Sequence, residues 1–124
     1  AGGAGALLRA MRLHPGEARL QQLGCTALAS LAEMHVLPAE PLATAAVAAM
    51  RAFPTEAALQ AQGCRTLLHL TTTAPRKRAV CALGGADAVV LAMLGHGMNA
   101  QVQQWGCGAL SSLADGDESC HRAV

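Results

Sequence analysis

The chain has 124 residues, 52% hydrophobic but only 2% aromatic, with one Phe, one Trp and no Tyr. Its net charge of +1 excludes the broad basic field of a nucleic-acid binder as well as an acidic tail. A core drawn from Ala, Leu, Val and Met, with few β-branched residues, favours closely packed helices over a β-sandwich, in one domain long enough to bury a real core.

In chain order, the first predicted helix covers 4–13, with apolar residues at i, i+3 and i+4, and His14-Pro15-Gly16 ends it. A second covers 17–33, with residues 20, 24, 27, 28 and 31 as its buried stripe. The proline-bearing connector EMHVLPAEPLAT leads to a helix over 42–52, broken at Phe53-Pro54-Thr55, and to another over 56–71. The segment PRKRAVCALGGAD reads as an extra short helix ending at Gly84-Gly85. Helices over 86–95, ended by His96-Gly97, and over 99–114 complete the order.

These helices repeat. LQQLGCTALASLA at 20–32 matches LQAQGCRTLLHLT at 59–71 and VQQWGCGALSSLA at 102–114, and the match extends backwards through the preceding helix without a gap. Identical in all three copies are Ala6/45/88, Ala10/49/92, Met11/50/93, Ala18/57/100, Gln21/60/103, Gly24/63/106, Cys25/64/107, Leu28/67/110 and Leu31/70/113. The cysteines stand 39 and then 43 residues apart, close to the ~40–47 of two- or three-helix repeats. The repeats run approximately 1–33, 34–74 and 75–117, with the start of a further one at 118–124, where HRAV matches KRAV at 77–80. Neither end carries the atypical polar unit that closes a natural array, so a fragment of a longer array is expected.

The pattern RKRAVCALGGADAVVLAM…VQQWGCGALSSLADGDESCHRAV resembles an armadillo repeat: a short first helix, a double glycine, an apolar second helix and a long third helix. The second copy departs from it, because 33–44 lacks the R-A-V…GG element. The resemblance implies an all-α fold, a right-handed α-solenoid of about three armadillo-type helical repeats. It also implies partner binding along a concave groove lined by third helices, with no enzyme activity. Nuclear import adaptors of that family carry a Trp, and an Asn four residues later, on each third helix. Here those positions hold Thr26, Arg65 and Gly108, then Ser30, His69 and Ser112, and Trp105 stands three residues too early. Binding of lysine-rich signals is therefore not expected, and a positive groove for acidic peptides rests on Arg65 alone.

The groove residues expected to meet a partner are Gln22, Thr26 and Ser30, then Arg65 and His69, then Gln104, Gly108 and Ser112. The Gly-Cys pair within each repeat reads as packing: the glycine marks close approach of a neighbouring helix, and the cysteine is a small buried residue. Five cysteines with no CxxC argue against a disulfide framework and for reduced thiols in an intracellular setting, cytoplasmic or nuclear. Cys120-His121 lacks a second ligand pair for zinc, and GGADAVV lacks a phosphate-loop glycine pattern. His14 and His96 share a repeat position at a helix C-terminus, where a cation is favoured. Arg76-Lys77-Arg78 reads as a solvated helix start. No apolar run reaches the ~20 residues of a membrane span, the opening AGGAGALLRAM is no signal peptide, and no nucleophile–base–orienter set is identifiable.

The expected function is thus a protein–protein interaction or scaffold module for a peptide or protein domain. No cofactor, metal, nucleic acid or membrane partner is expected, and self-association through the repeat ends is. The alternative is a structural spacer or intramolecular dock in a larger multidomain protein that includes a kinase or other catalytic domain. A cysteine-dependent enzyme stands last.

Overall fold

A helix broken by Pro or Gly leaves its last carbonyls without partners, and this chain meets that demand in the same way three times. The computed structural model describes residues 2–35 and 37–114. Cys120, His121 and the expected start of a repeat at 118–124 lie outside the described residues. Within them the chain is all-α, with helices α1 (Gly2–Leu13), α2 (Ala18–Glu33), α3 (Ala39–Ala52), α4 (Ala57–His69), α5 (Ala74–Ala82), α6 (Gly85–Gly95) and α7 (Ala100–Ala114).

Each long helix turns back on the one before it through a glutamine. The Gln21 Nε2 amide donates to the carbonyls of Met11 and His14, both at 2.9 Å. Gln60 donates to Met50 and Phe53 at 2.8 and 2.9 Å. Gln103 donates to Met93 and His96 at 2.9 and 3.0 Å. Gln21 and Gln60 are buried and Gln103 is half-buried. Three residues further along lies the glycine, under the methionine of the same pair of helices. A Cβ on Gly24 would stand 2.6 Å from the Met11 sulfur, and one on Gly63 or Gly106 within 2.6 Å of the Met50 or Met93 side chain. The glycine thus accepts its helix-propensity cost of ~1 kcal/mol so that the methionine can lie flat on the backbone.

The resulting hairpins stack in two rows. α3 packs against α1 and α6 in one row, and α4 lies between α2 and α7 in the other. The α2–α4 seam includes Thr66, whose Oγ1 lies 3.3 Å from the Cys25 carbonyl and 2.8 Å from the Gln62 carbonyl of its own helix. Leu28, Leu42, Leu59, Leu67, Leu70 and Leu113 are fully buried between the rows. The truncation of any one to Ala costs ~2–5 kcal/mol.

The connectors differ. Before the third pair, Thr73 caps α5, its hydroxyl accepting from the Arg76 N–H at 3.4 Å, and Pro75 suits the first turn. Gly84 then takes φ +84°, a left-handed conformation that lets the chain turn from α5 into α6. Before the second pair there is no such helix in the described part of 34–38. Instead Pro38 precedes α3, which starts at Ala39 rather than at 42. Arg76 bridges the two regions by donating to the Leu37 carbonyl, so it is a structural tie rather than a solvated charge.

Replacing Gln60 by Ala removes two hydrogen bonds and takes the side-chain donor from the buried Met50 carbonyl, while the Phe53 carbonyl keeps the Glu56 N–H. We expect a loss of ~2–3 kcal/mol, read as a lowered urea midpoint. Gln103→Ala, at a half-buried site, should cost less, and equal small losses at both positions would contradict the role given to this amide.

Candidate functional site

The expected groove residues lie on α2, α4 and α7, one row of the structure, but they do not share one environment. On α2, Gln22 is half-buried, while Thr26 and Ser30 are exposed. Their hydroxyls turn into their own helix, Thr26 Oγ1 to the Gln22 carbonyl at 3.2 Å and Ser30 Oγ to the Thr26 carbonyl at 3.4 Å. On α7, Gln104 is exposed. Gly108 faces α4 closely enough that a Cβ would stand 3.1 Å from a Leu68 methyl. Ser112 Oγ lies 2.7 Å from Thr71 Oγ1 and donates to the Thr71 carbonyl at 3.1 Å. Gly108 and Ser112 therefore serve the α4–α7 seam.

Arg65 and His69 come together, and they do so on Trp105. The Arg65 guanidinium carbon sits 5.7 Å from the Trp105 ring centroid, and the His69 ring centroid is 6.1 Å away with the planes tilted by 55°. A cation over an indole is worth ~0.5–1 kcal/mol at an exposed site. Arg65 also donates to Gln62 Oε1 at 3.2 Å and to Glu33 Oε2 at 3.3 Å. The Arg65 side chain is 22% exposed and that of Glu33 58%, so this ion pair contributes only ~0.2–1 kcal/mol. His69 Nε2 is shielded from solvent and has no hydrogen-bond partner among the described residues. Partial burial holds the His69 pKa below its ordinary 6.5, Glu33 works to raise it, and Arg65 and His35 add to the lowering. The ring is therefore neutral at pH 7.

Trp105 is the member of this cluster that repeat alignment misses. It aligns with Leu23 and Gln62, one position before the repeat glycine, and no periodicity within its own helix marks it. What it touches belongs to the neighbouring helix. Its status as the sole tryptophan was the only signal available.

The cysteines divide in a way the repeat does not foretell. Cys25 and Cys64 are free and fully buried, and burial pushes both thiols up to about 12. Cys107, at the same repeat position, is exposed. The difference follows from the stacking: α2 and α4 each have a later helix of the row against them, and α7 has none among the described residues. Cys81 is disulfide-bonded, against the expectation of reduced thiols throughout. His96 does more than favour a helix dipole, since its Nε2 lies 2.8 Å from the Pro54 carbonyl and links α6 to the turn after α3.

On the opposite row, a cleft of about 570 Å³ opens between α1 and α3, lined by Leu8, Met11, Pro15, Pro41, Ala45 and Ala48. Its counterpart between α3 and α6 is about 140 Å³. There Leu91 stands where Ala48 stands in the first, and Arg51 lies against Gly84. Among the described residues no three His, Cys, Asp or Glu side chains gather to hold a metal ion. No single described helix is long and apolar enough to cross a membrane.

In the folded protein, a thiol reagent at pH 8 should modify Cys107 quickly and Cys25 and Cys64 only on unfolding; peptide mapping after a short pulse reads this directly. Below pH ~9 the two buried thiols are protonated whether folded or not. Above it the unfolded chain releases protons that the folded chain keeps until about 12, so stability falls as pH rises through that window. A separate titration by NMR should place the His69 pKa below 6.5, and Glu33→Gln should lower it further by removing the one charge that raises it.

Against known proteins, no family, no curated protein and no solved structure matches this chain.

Proposed function

We propose that the chain is a protein-interaction module, an armadillo-type α-solenoid that binds a peptide or protein domain along the row formed by α2, α4 and α7. The reading is supported by the three equivalent Gln–Gly–Met hairpins and by the serial packing of their second helices. The observation that carries it is the half-exposed cluster of Arg65, His69 and Trp105 on that row. Arg and Trp are the residue types that dominate binding hot spots, and here both are held in place before any partner arrives. Around them the row presents the side chains of Gln22, Thr26, Ser30 and Gln104. We assign the module no enzyme activity, cofactor or metal. Although a disulfide at Cys81 runs against the reduced thiols usual inside cells, an intracellular location, cytoplasmic or nuclear, goes with this reading. So does self-association through the apolar flank of α2, where Leu23 is 58% and Met34 61% exposed.

Photo-crosslinking side chains placed at single positions test the face directly, in the protein expressed in cells. Crosslinks to a common partner are expected from Thr26 and Gln104, and not from Ala48 and Leu91 in the other row. Crosslinks concentrated at Ala48 and Leu91 would move the binding face to the α1–α3–α6 row.

A further inference from the structure

The Arg65 guanidinium is pre-positioned. One nitrogen is held by Gln62 Oε1, its face lies against Trp105, and the other nitrogen carries the Glu33 carboxylate. That carboxylate is seated poorly. It engages through one oxygen at 3.3 Å, whereas a charge-assisted bond of good geometry is ~2.7–2.9 Å and an arginine–carboxylate pair is commonly bidentate. Glu33 is also the last residue of α2, at the negative end of the helix dipole, where an anion is disfavoured. It is 58% exposed, so its release costs little burial. One turn along α4 from Arg65, the shielded His69 Nε2 stands without a partner on the same Trp105 ring.

From this we infer that the Arg65–His69–Trp105 cluster is a subsite for a carboxylate side chain of an acidic peptide, and that Glu33 occupies it in the free chain as an internal competitor. The occupant already present names the chemistry: a carboxylate reaches the guanidinium, and a better-placed one replaces it. Exchange of one carboxylate for another keeps the charge of the site constant. An incoming group free of the helix end can use both oxygens on the Arg65 guanidinium, in the bidentate geometry that Glu33 does not reach. The subsite rests on the proposed binding face, and it adds the partner's chemistry and a built-in restraint on binding.

Trp105 is the sole tryptophan, so its fluorescence reports on the subsite without labelling. Titration with hexaglutamate, with hexaglutamine and hexalysine as controls, should give a saturable change with hexaglutamate alone. Glu33→Gln should tighten hexaglutamate binding about 2- to 5-fold, the worth of an exposed ion pair. Arg65→Gln should weaken it at least ~10-fold, and Arg65→Lys should recover only part, since a lysine cannot pair bidentately. Far-UV circular dichroism of each variant shows that the fold is retained. Unchanged or weaker binding by Glu33→Gln, hexaglutamate binding indifferent to Arg65, or an equal response to hexaglutamine overturns the inference. An equal response to inorganic phosphate overturns the assignment to carboxylate. Failure here with crosslinks still at Thr26 and Gln104 sinks the subsite but leaves the binding face; binding through Arg65 with crosslinks at Ala48 and Leu91 does the reverse.

Discussion

The fold depends on one amide. Each first helix ends at a Pro or Gly break, and among its last carbonyls the methionine's would lack a donor. Gln21, Gln60 and Gln103 each reach back ten and seven residues to donate to that carbonyl and to a second one at once. The geometry is selective: Asn is a methylene too short, Glu would set an acceptor against two acceptors, and Lys would bring a charge into a dry site. Three residues on, the absence of a Cβ lets the methionine close over the helix. Together these contacts set how each hairpin closes, and hairpins closed alike can pack in two rows.

Equivalent backbones do not carry equivalent surfaces. Two positions after the repeat glycine, Thr26 is exposed, Arg65 lies on Trp105, and Gly108 gives way to Leu68. Four positions later, Ser30 bonds its own helix, His69 faces the indole, and Ser112 ties to Thr71. The repeated residues build the frame, and the Arg65–His69–Trp105 cluster forms where the repeat is broken. The clefts between first helices follow the same logic, open where Ala48 stands and narrow where Leu91 replaces it.

Much of the frame is legible in the chain. The expected helices at 4–13, 42–52 and 86–95 end at the residues or breaks where α1, α3 and α6 end, and the long helices over 17–33, 56–71 and 99–114 lie within two residues of α2, α4 and α7. Pro and Gly punctuation and a 3.6-residue apolar period account for this, since both act within one helix. The second copy lacks the R-A-V…GG element, which leaves its short first helix open, and among the described residues of 34–38 no helix precedes α3. The purpose of the repeated glutamine was not legible, because a hydrogen bond to a carbonyl ten residues back leaves no trace in periodicity. Nor was the lodging of Arg76 on Leu37, a contact across 39 residues.

The sequence by itself determined that the chain is helical, where its helices stop, and which glycines must lie under a neighbour. Those properties follow from local sterics and from residue spacing repeated three times. Tertiary structure alone decided that Trp105 belongs with Arg65 and His69, that Glu33 shares their charge, and that Cys107 is exposed while its two counterparts are sealed. Each depends on which helix lies alongside, and two helices that meet side by side bring together residues whose distance along the chain carries no periodic signature.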